Sequence, residues 1–201
     1  MAHTPALNVV HHDRSLHLQL QPIARALGIP FHAYLDGESF LSRHRIVGCE
    51  CVVSDFRLLD MAGLDLLRKV RERSQTAVFV FISDAPEVGH VVQAIKSGAA
   101  DVLLRTSSEM SLAAAISAAI SEAQRQYRVD EAHSQQQQLL QTLSEKERDV
   151  LDLMLTGLPN KVIARRLSVS LRTVEVRRQQ IFKKTQTKSV AELVRMVICG
   201  T

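Results

Sequence analysis

Leu143-Ser144-Glu145-Lys146-Glu147-Arg148-Asp149-Val150-Leu151, then Gly157-Leu158-Pro159-Asn160-Lys161, then Leu171-Arg172-Thr173-Val174-Glu175-Val176, is the most informative run of this 201-residue chain. Ser144 and Glu147 stand in capping-box spacing, which satisfies the free N–H groups of a helix start. Apolar residues recur at Val150, Leu151, Met154 and Leu155, and Gly157 stops the helix. A second short helix over 160–167 points Val162, Ile163 and Leu167 inward and Lys161, Arg165 and Arg166 outward. After Ser168-Val169-Ser170 a third helix opens at Leu171. Two helices joined by so short a turn, the second rich in polar and basic residues, form a helix-turn-helix pattern.

The third helix has two computable faces. At about 100° per residue, Val174, Arg178, Ile181 and Thr185 share one side. Arg172, Glu175, Val176, Gln179, Gln180 and Lys183 share the other, and they offer the donors, acceptors and charge that base edges and phosphates require. The bland alternative is a solvated face of an ordinary bundle. Charge argues against it: residues 141–201 hold 12 Lys+Arg against 6 Asp+Glu, whereas residues 1–140 hold 13 against 15. Positive charge gathered at one end suggests that nucleic acid is met there, with double-stranded DNA the partner that a helix-turn-helix implies.

These motifs, continued through Leu193-Val194-Arg195-Met196, resemble the LuxR-type helix-turn-helix of NarL/FixJ response regulators. The resemblance implies that the helix beginning near Leu171 enters the major groove. By position, Glu175, Val176 and Gln179 would face bases, and Lys161, Arg172, Thr173 and Lys183 would meet phosphates. Arg177 stands where the family has histidine, and Thr185 replaces a usual leucine, which is expected to weaken the core slightly. The family also implies a homodimer, often through the last helix, here about 190–199, with Ala191, Val194 and Ile198 as an apolar strip.

Residues 6–120 alternate strand and helix. Strands are expected over 7–10, 31–35, 51–55, 77–83 and 101–104, and helices over 16–27, 39–42, 63–73, 88–97 and 109–120. The run Ala77-Val78-Phe79-Val80-Phe81-Ile82-Ser83 has the continuous apolar character of a parallel strand covered on both faces. This is the doubly wound α/β pattern, whose functional residues lie at the carboxyl ends of the strands.

Those ends carry a second resemblance, to a receiver domain. Cys51-Val52-Val53-Ser54-Asp55 with Arg57-Leu58-Leu59-Asp60-Met61-Ala62-Gly63 is similar to the phosphoacceptor strand and its loop, and Lys96-Ser97-Gly98-Ala99-Ala100-Asp101 to the turn into the last strand. The resemblance implies that Asp55 is the phosphoacceptor and that Ser83 contacts the phosphoryl group. Receivers hold Mg²⁺ with an acidic pair after the first strand, because this cation prefers oxygen ligands. Here His11 and His12 stand there, with Asp13 the single nearby carboxylate. Arg105 replaces the usual lysine, Thr106 the following proline, Val102 the aromatic, and Asp84 a small residue. The pocket therefore reads as degenerate. His11 and His12 are tolerated replacements on the bland reading, ligands for a softer metal on a sharper one, or a pH sensor.

The expected architecture is α/β plus all-α: a five-stranded parallel, flavodoxin-like receiver over 1–120, a helical linker over 121–142, and a small four-helix LuxR-type domain over 143–201. The linker contains Gln135-Gln136-Gln137-Gln138, lacks Pro and Gly, and carries Val129, Ala132, Leu139, Leu140 and Leu143 as an apolar stripe; a flexible polar spacer is the alternative. Hydrophobic content of 46% and charge of 23% suit a globular protein, and no apolar run reaches the ~20 residues that span a bilayer. The start, Met1-Ala2-His3-Thr4-Pro5, lacks the basic-then-apolar build of a secretion signal, so none is expected. Cys49, Cys51 and Cys199 make no disulfide framework, so a cytoplasmic location is expected, with Cys49 and Cys51 as small buried hydrophobes.

The functional expectation is a sequence-specific DNA-binding regulator controlled independently of Mg²⁺-assisted phosphorylation of Asp55. The alternatives are a regulator activated conventionally at Asp55 by a sensor histidine kinase, and an interaction protein whose receiver binds a ligand, metal or partner. No nucleophile–base set or phosphate-cradling glycine loop suggests an enzyme, and no cofactor or metal is expected.

Overall fold

The computed structural model describes residues 4–44 and 48–199. Two compact units divide between residues 128 and 129. Met1–His3, at the start of the segment read for a signal, lie outside the described residues, as does the side chain of Cys199.

The first unit is built on five parallel strands: β1 (Ala6–Val10), β2 (Phe31–Tyr34), β3 (Glu50–Ser54), β4 (Val78–Ser83) and β5 (Asp101–Leu104), in the order β2-β1-β3-β4-β5. Leu7 pairs with Cys51, Cys51 with Val78, and Val80 with Asp101. Side chains alternate across a strand, so the sheet has two apolar faces. Leu7, Val9, Cys51, Val53, Val80 and Ile82 pack against α1 (Arg14–Ala26) and the first half of α5 (Glu109–Gln141), through Leu16, Leu20, Leu112 and Ile116. Val10, Val52, Phe79 and Phe81 pack against α2 (Gly37–Arg43), α3 (Gly63–Arg73) and α4 (Val88–Lys96), through Phe40, Leu66, Leu67 and Ala94.

Local chemistry explains the element starts. Asp13 caps α1 by accepting the Ser15 N–H at 2.8 Å, and Asp36 caps α2 through Ser39 at 2.7 Å. Asp60 reaches from the β3–α3 loop to accept the N–H groups of Gly37 and Glu38. Gly63 begins α3 where a Cβ would lie 2.0 Å from the Asp55 carbonyl oxygen, so glycine is required for the strand to turn that closely under the helix.

The last receiver helix, expected over 109–120 with a helical linker after it, is one continuous helix to Gln141, 33 residues in all. Its expected apolar stripe is uneven: Val129 and Ala132 are exposed, Leu139 and Leu140 half-buried, and Leu143 buried in the core of the second unit. That unit contains α6 (Glu145–Leu155), α7 (Asn160–Arg166), α8 (Leu171–Thr185) and α9 (Val190–Cys199). Val150, Met154, Ile163, Val174, Ile181 and Leu193 form its centre. Ser144 and Glu147 form the capping box, and Gly157, at φ 77, follows the end of α6 in the left-handed region that favours glycine. Thr185, where a slight core weakening is expected, is 1% exposed, and its hydroxyl donates to the Ile181 carbonyl at 2.7 Å.

Candidate nucleic-acid interface and receiver pocket

The turn between α7 and α8 includes Ser168, held at φ 52. Ser170 caps α8, its Oγ accepting the Thr173 N–H at 3.0 Å and lying 2.8 Å from Thr173 Oγ1. Val174, Ile181 and Thr185 are buried, whereas Arg172, Val176, Gln179, Gln180 and Lys183 are exposed and Thr173 and Glu175 half-buried. Lys161 is exposed in the first turn of α7. The outer surface of α8 therefore joins a small apolar side chain, amides, one carboxylate and several cations, the mixture that meets base edges and phosphates. Arg177 and Arg178 are half-buried, and the Arg178 guanidinium lies 6.0 Å from the centre of the Phe182 ring on the same helix.

A further cation of α8, Lys184, is turned toward the start of α6. Lys184 Nζ donates to Glu147 Oε2 at 2.6 Å and to the Thr142 carbonyl at 3.2 Å. The same carboxylate oxygen accepts the Ser144 N–H at 2.8 Å and the Ser144 hydroxyl at 3.0 Å. Lys184 and these capping donors hold the Glu147 carboxyl below its usual pKa against the opposing effect of burial. The sequence reading missed Lys184, because its partners stand 37 and 42 positions away. Its angle on α8, about 60° from Ile181, is the one local sign that it flanks the inner face.

At the carboxyl edge of the sheet, His11 follows β1, Asp55 follows β3, Ser83 ends β4 and Arg105 follows β5. His11 is 3% exposed, and its Nε2 lies 3.5 Å from Asp55 Oδ2. Its Nδ1 accepts the Asp13 N–H at 2.9 Å, which assigns the ring proton to Nε2, facing the carboxylate. Burial raises the Asp55 pKa, but hydrogen bonds from His11 and the Phe56 N–H, with Ser83, outweigh it and leave the carboxyl below its ordinary value. His12 is exposed and stacks on His11, ring centres 4.7 Å apart.

Asp13 and Asp84 meet Arg105 rather than the phosphoacceptor position. Arg105 Nη1 donates to Asp13 Oδ2, and Arg105 Nε to Asp84 Oδ1 at 2.7 Å. The two hydrogen bonds from Ser15, with Arg105, hold the Asp13 carboxyl down at about 2. The sequence reading brought these seven residues to one edge but left the pairings unspecified.

The remaining candidates are simpler. Val102 is half-buried against the α2–α4 side of the sheet and Thr106 is exposed. Cys49 and Cys51 are buried, and burial pushes the Cys51 thiol up to about 12, far from a reactive thiolate. Among the described residues no group of three or more His, Cys, Asp and Glu side chains is placed to hold a metal, so His11, His12, Asp13 and Asp55 do not assemble the softer-metal site. No helix among them is long and apolar enough to cross a membrane.

Comparison with known proteins agrees with both halves. Residues 9–117 match the response regulator receiver domain, and residues 141–197 match the luxR family of bacterial regulatory proteins. The transcriptional regulatory protein FixJ of Azorhizobium caulinodans is 30% identical over 192 residues, covering 96% of this chain and 91% of its own length. The response regulator protein TmoT of Ectopseudomonas mendocina is 32% identical over 188 residues, covering 94% and 86%. The structure of response regulator StyR superposes with a TM-score of 0.86 at 30% identity, covering 98% of this chain and 99% of that one.

Proposed function

The chain belongs to the NarL/FixJ family of response regulators and is a DNA-binding transcriptional regulator, and we propose that its receiver is controlled without Mg²⁺-assisted phosphorylation of Asp55. The observation that carries this reading is the His11–Asp55 contact. An imidazole nitrogen stands where Mg²⁺ needs oxygen, and the carboxylate of Asp13 is engaged by Ser15 and Arg105. That donor set does not fit this cation, which demands near-ideal octahedral oxygen coordination. Arg105, bridged between Asp13 and Asp84, is likewise committed away from a phosphoryl group on Asp55. A receiver-binding partner, ligand or protonation event supplies the signal in this reading. The conventional reading, with a sensor histidine kinase, draws its support from Asp55 being held ionised beside Ser83.

In the DNA-binding half, Glu175, Val176 and Gln179 read bases, while Lys161, Arg172, Thr173 and Lys183 grip phosphates. A homodimer engages two half-sites, because one such module reads only one, and α9 supplies part of the contact. The protein works in the cytoplasm, where DNA is accessible. The test is binding of Gln179→Ala and Lys161→Ala to a duplex that the wild-type chain selects from a random library. Gln179→Ala should relax sequence preference, at about 1–3 kcal/mol of discrimination. Lys161→Ala should weaken selected and arbitrary duplexes alike and lower the salt slope by about one. The same uniform loss in both variants would refute these assignments.

A further inference from the structure

The basic residues of α8 do not all face the same way. Arg172 and Lys183 are exposed, whereas Lys184 is turned onto the start of α6. Its side chain is 35% exposed, and that of its partner Glu147 is 10% exposed.

We propose that Lys184 and Glu147 are positioning residues for DNA reading: their ion pair fixes the rotation of α8 and ties it to the turn that follows α5. The inference rests on the reading that α8 enters DNA. The α6–α8 contact also carries an apolar cluster, through Val150, Met154, Val174 and Ile181, and apolar burial is non-directional. A charge-assisted hydrogen bond is directional. Turning a helix by about 20° carries side chains on its surface about 2 Å sideways, enough to break a hydrogen bond between Gln179 and a base edge. The pair at the last turn of α8 resists that turn.

The second acceptor of Lys184 extends the argument. Thr142 stands between α5 and α6, and its N–H and hydroxyl both return to the Leu139 carbonyl, at 3.2 and 2.6 Å. One ammonium group therefore holds the recognition helix, the capping box of α6 and the end of the linker helix together. Movement of the linker end is passed to α8 through Lys184.

Substitution separates positioning from phosphate contact and from capping. Lys184→Met removes the charge, and Glu147→Gln removes the ion pair while keeping an oxygen that serves the capping box. Affinity of the full-length chain for the library-selected duplex is measured against salt, beside Lys183→Ala. Lys184→Met and Glu147→Gln should each weaken binding about tenfold, the double variant should be no weaker than either, and Lys184→Arg should restore it. The salt slope should stay at the wild-type value in all four, while Lys183→Ala lowers it by about one. Affinity unchanged, losses that add, or a slope lowered by Lys184→Met would overturn the proposal. If Lys184→Met fails to fold, Glu147→Gln carries the test. No duplex selected by the wild-type chain would instead defeat the DNA-reading assignment beneath it.

Discussion

His17 is 9% exposed on α1, and its Nε2 has no hydrogen-bond partner among the described residues. Burial, followed by the proximity of His11, pushes its pKa below the ordinary 6.5. The folded chain thus favours the neutral ring, while the unfolded chain binds a proton near 6.5. Stability from this group is present above that pH and is lost as pH falls through 6.5 toward the lowered folded value. The thermal midpoint of the receiver unit should therefore be lower at pH 5.5 than at pH 7.5, and His17→Leu should flatten that part of the dependence; an unchanged slope in the variant would contradict this. At this scale the sequence was partly legible. His11, Asp55, Ser83 and Arg105 could be located because each adjoins a strand end, a local property. That Arg105 pairs with Asp13 and Asp84 depends on positions 92 and 21 residues away, which no local pattern encodes.

Elements were legible wherever apolar spacing and an end signal agreed. Helix α3 falls on the expected 63–73 and strand β5 on 101–104. Strand β3 is displaced by one residue, ending at Ser54 with Asp55 just beyond, because the chain turns there beneath Gly63. The far half of α5 was legible as a helix from glutamine propensity and the absence of Pro and Gly, although its apolar residues are sparse and a flexible spacer was the alternative. For α8 the start signal is Ser170, the one side chain seen to cap that helix. Ser170→Ala should cost about 1 kcal/mol, read as a lower urea midpoint for the carboxyl-terminal unit with an unchanged m-value. No shift would mean that Thr173 or solvent satisfies the helix start without the serine.

The whole molecule joins two units with separate apolar cores, one built on a sheet and one on four helices. Excess positive charge lies in the second, and the altered pocket lies in the first. Family membership explains the order of the units, whereas in the proposed reading the pocket's donor set separates this chain from the family's usual chemistry. Output through DNA and control without phosphorylation of Asp55 are thus independent claims, and the second is the central one. It is tested most directly by intact mass after incubation with a small phosphodonor and Mg²⁺, with Asp55→Asn alongside and a standard receiver as the positive control. The account predicts no phosphoryl adduct on the folded wild-type chain while the control is modified. An adduct on the wild-type chain that disappears in Asp55→Asn would contradict it.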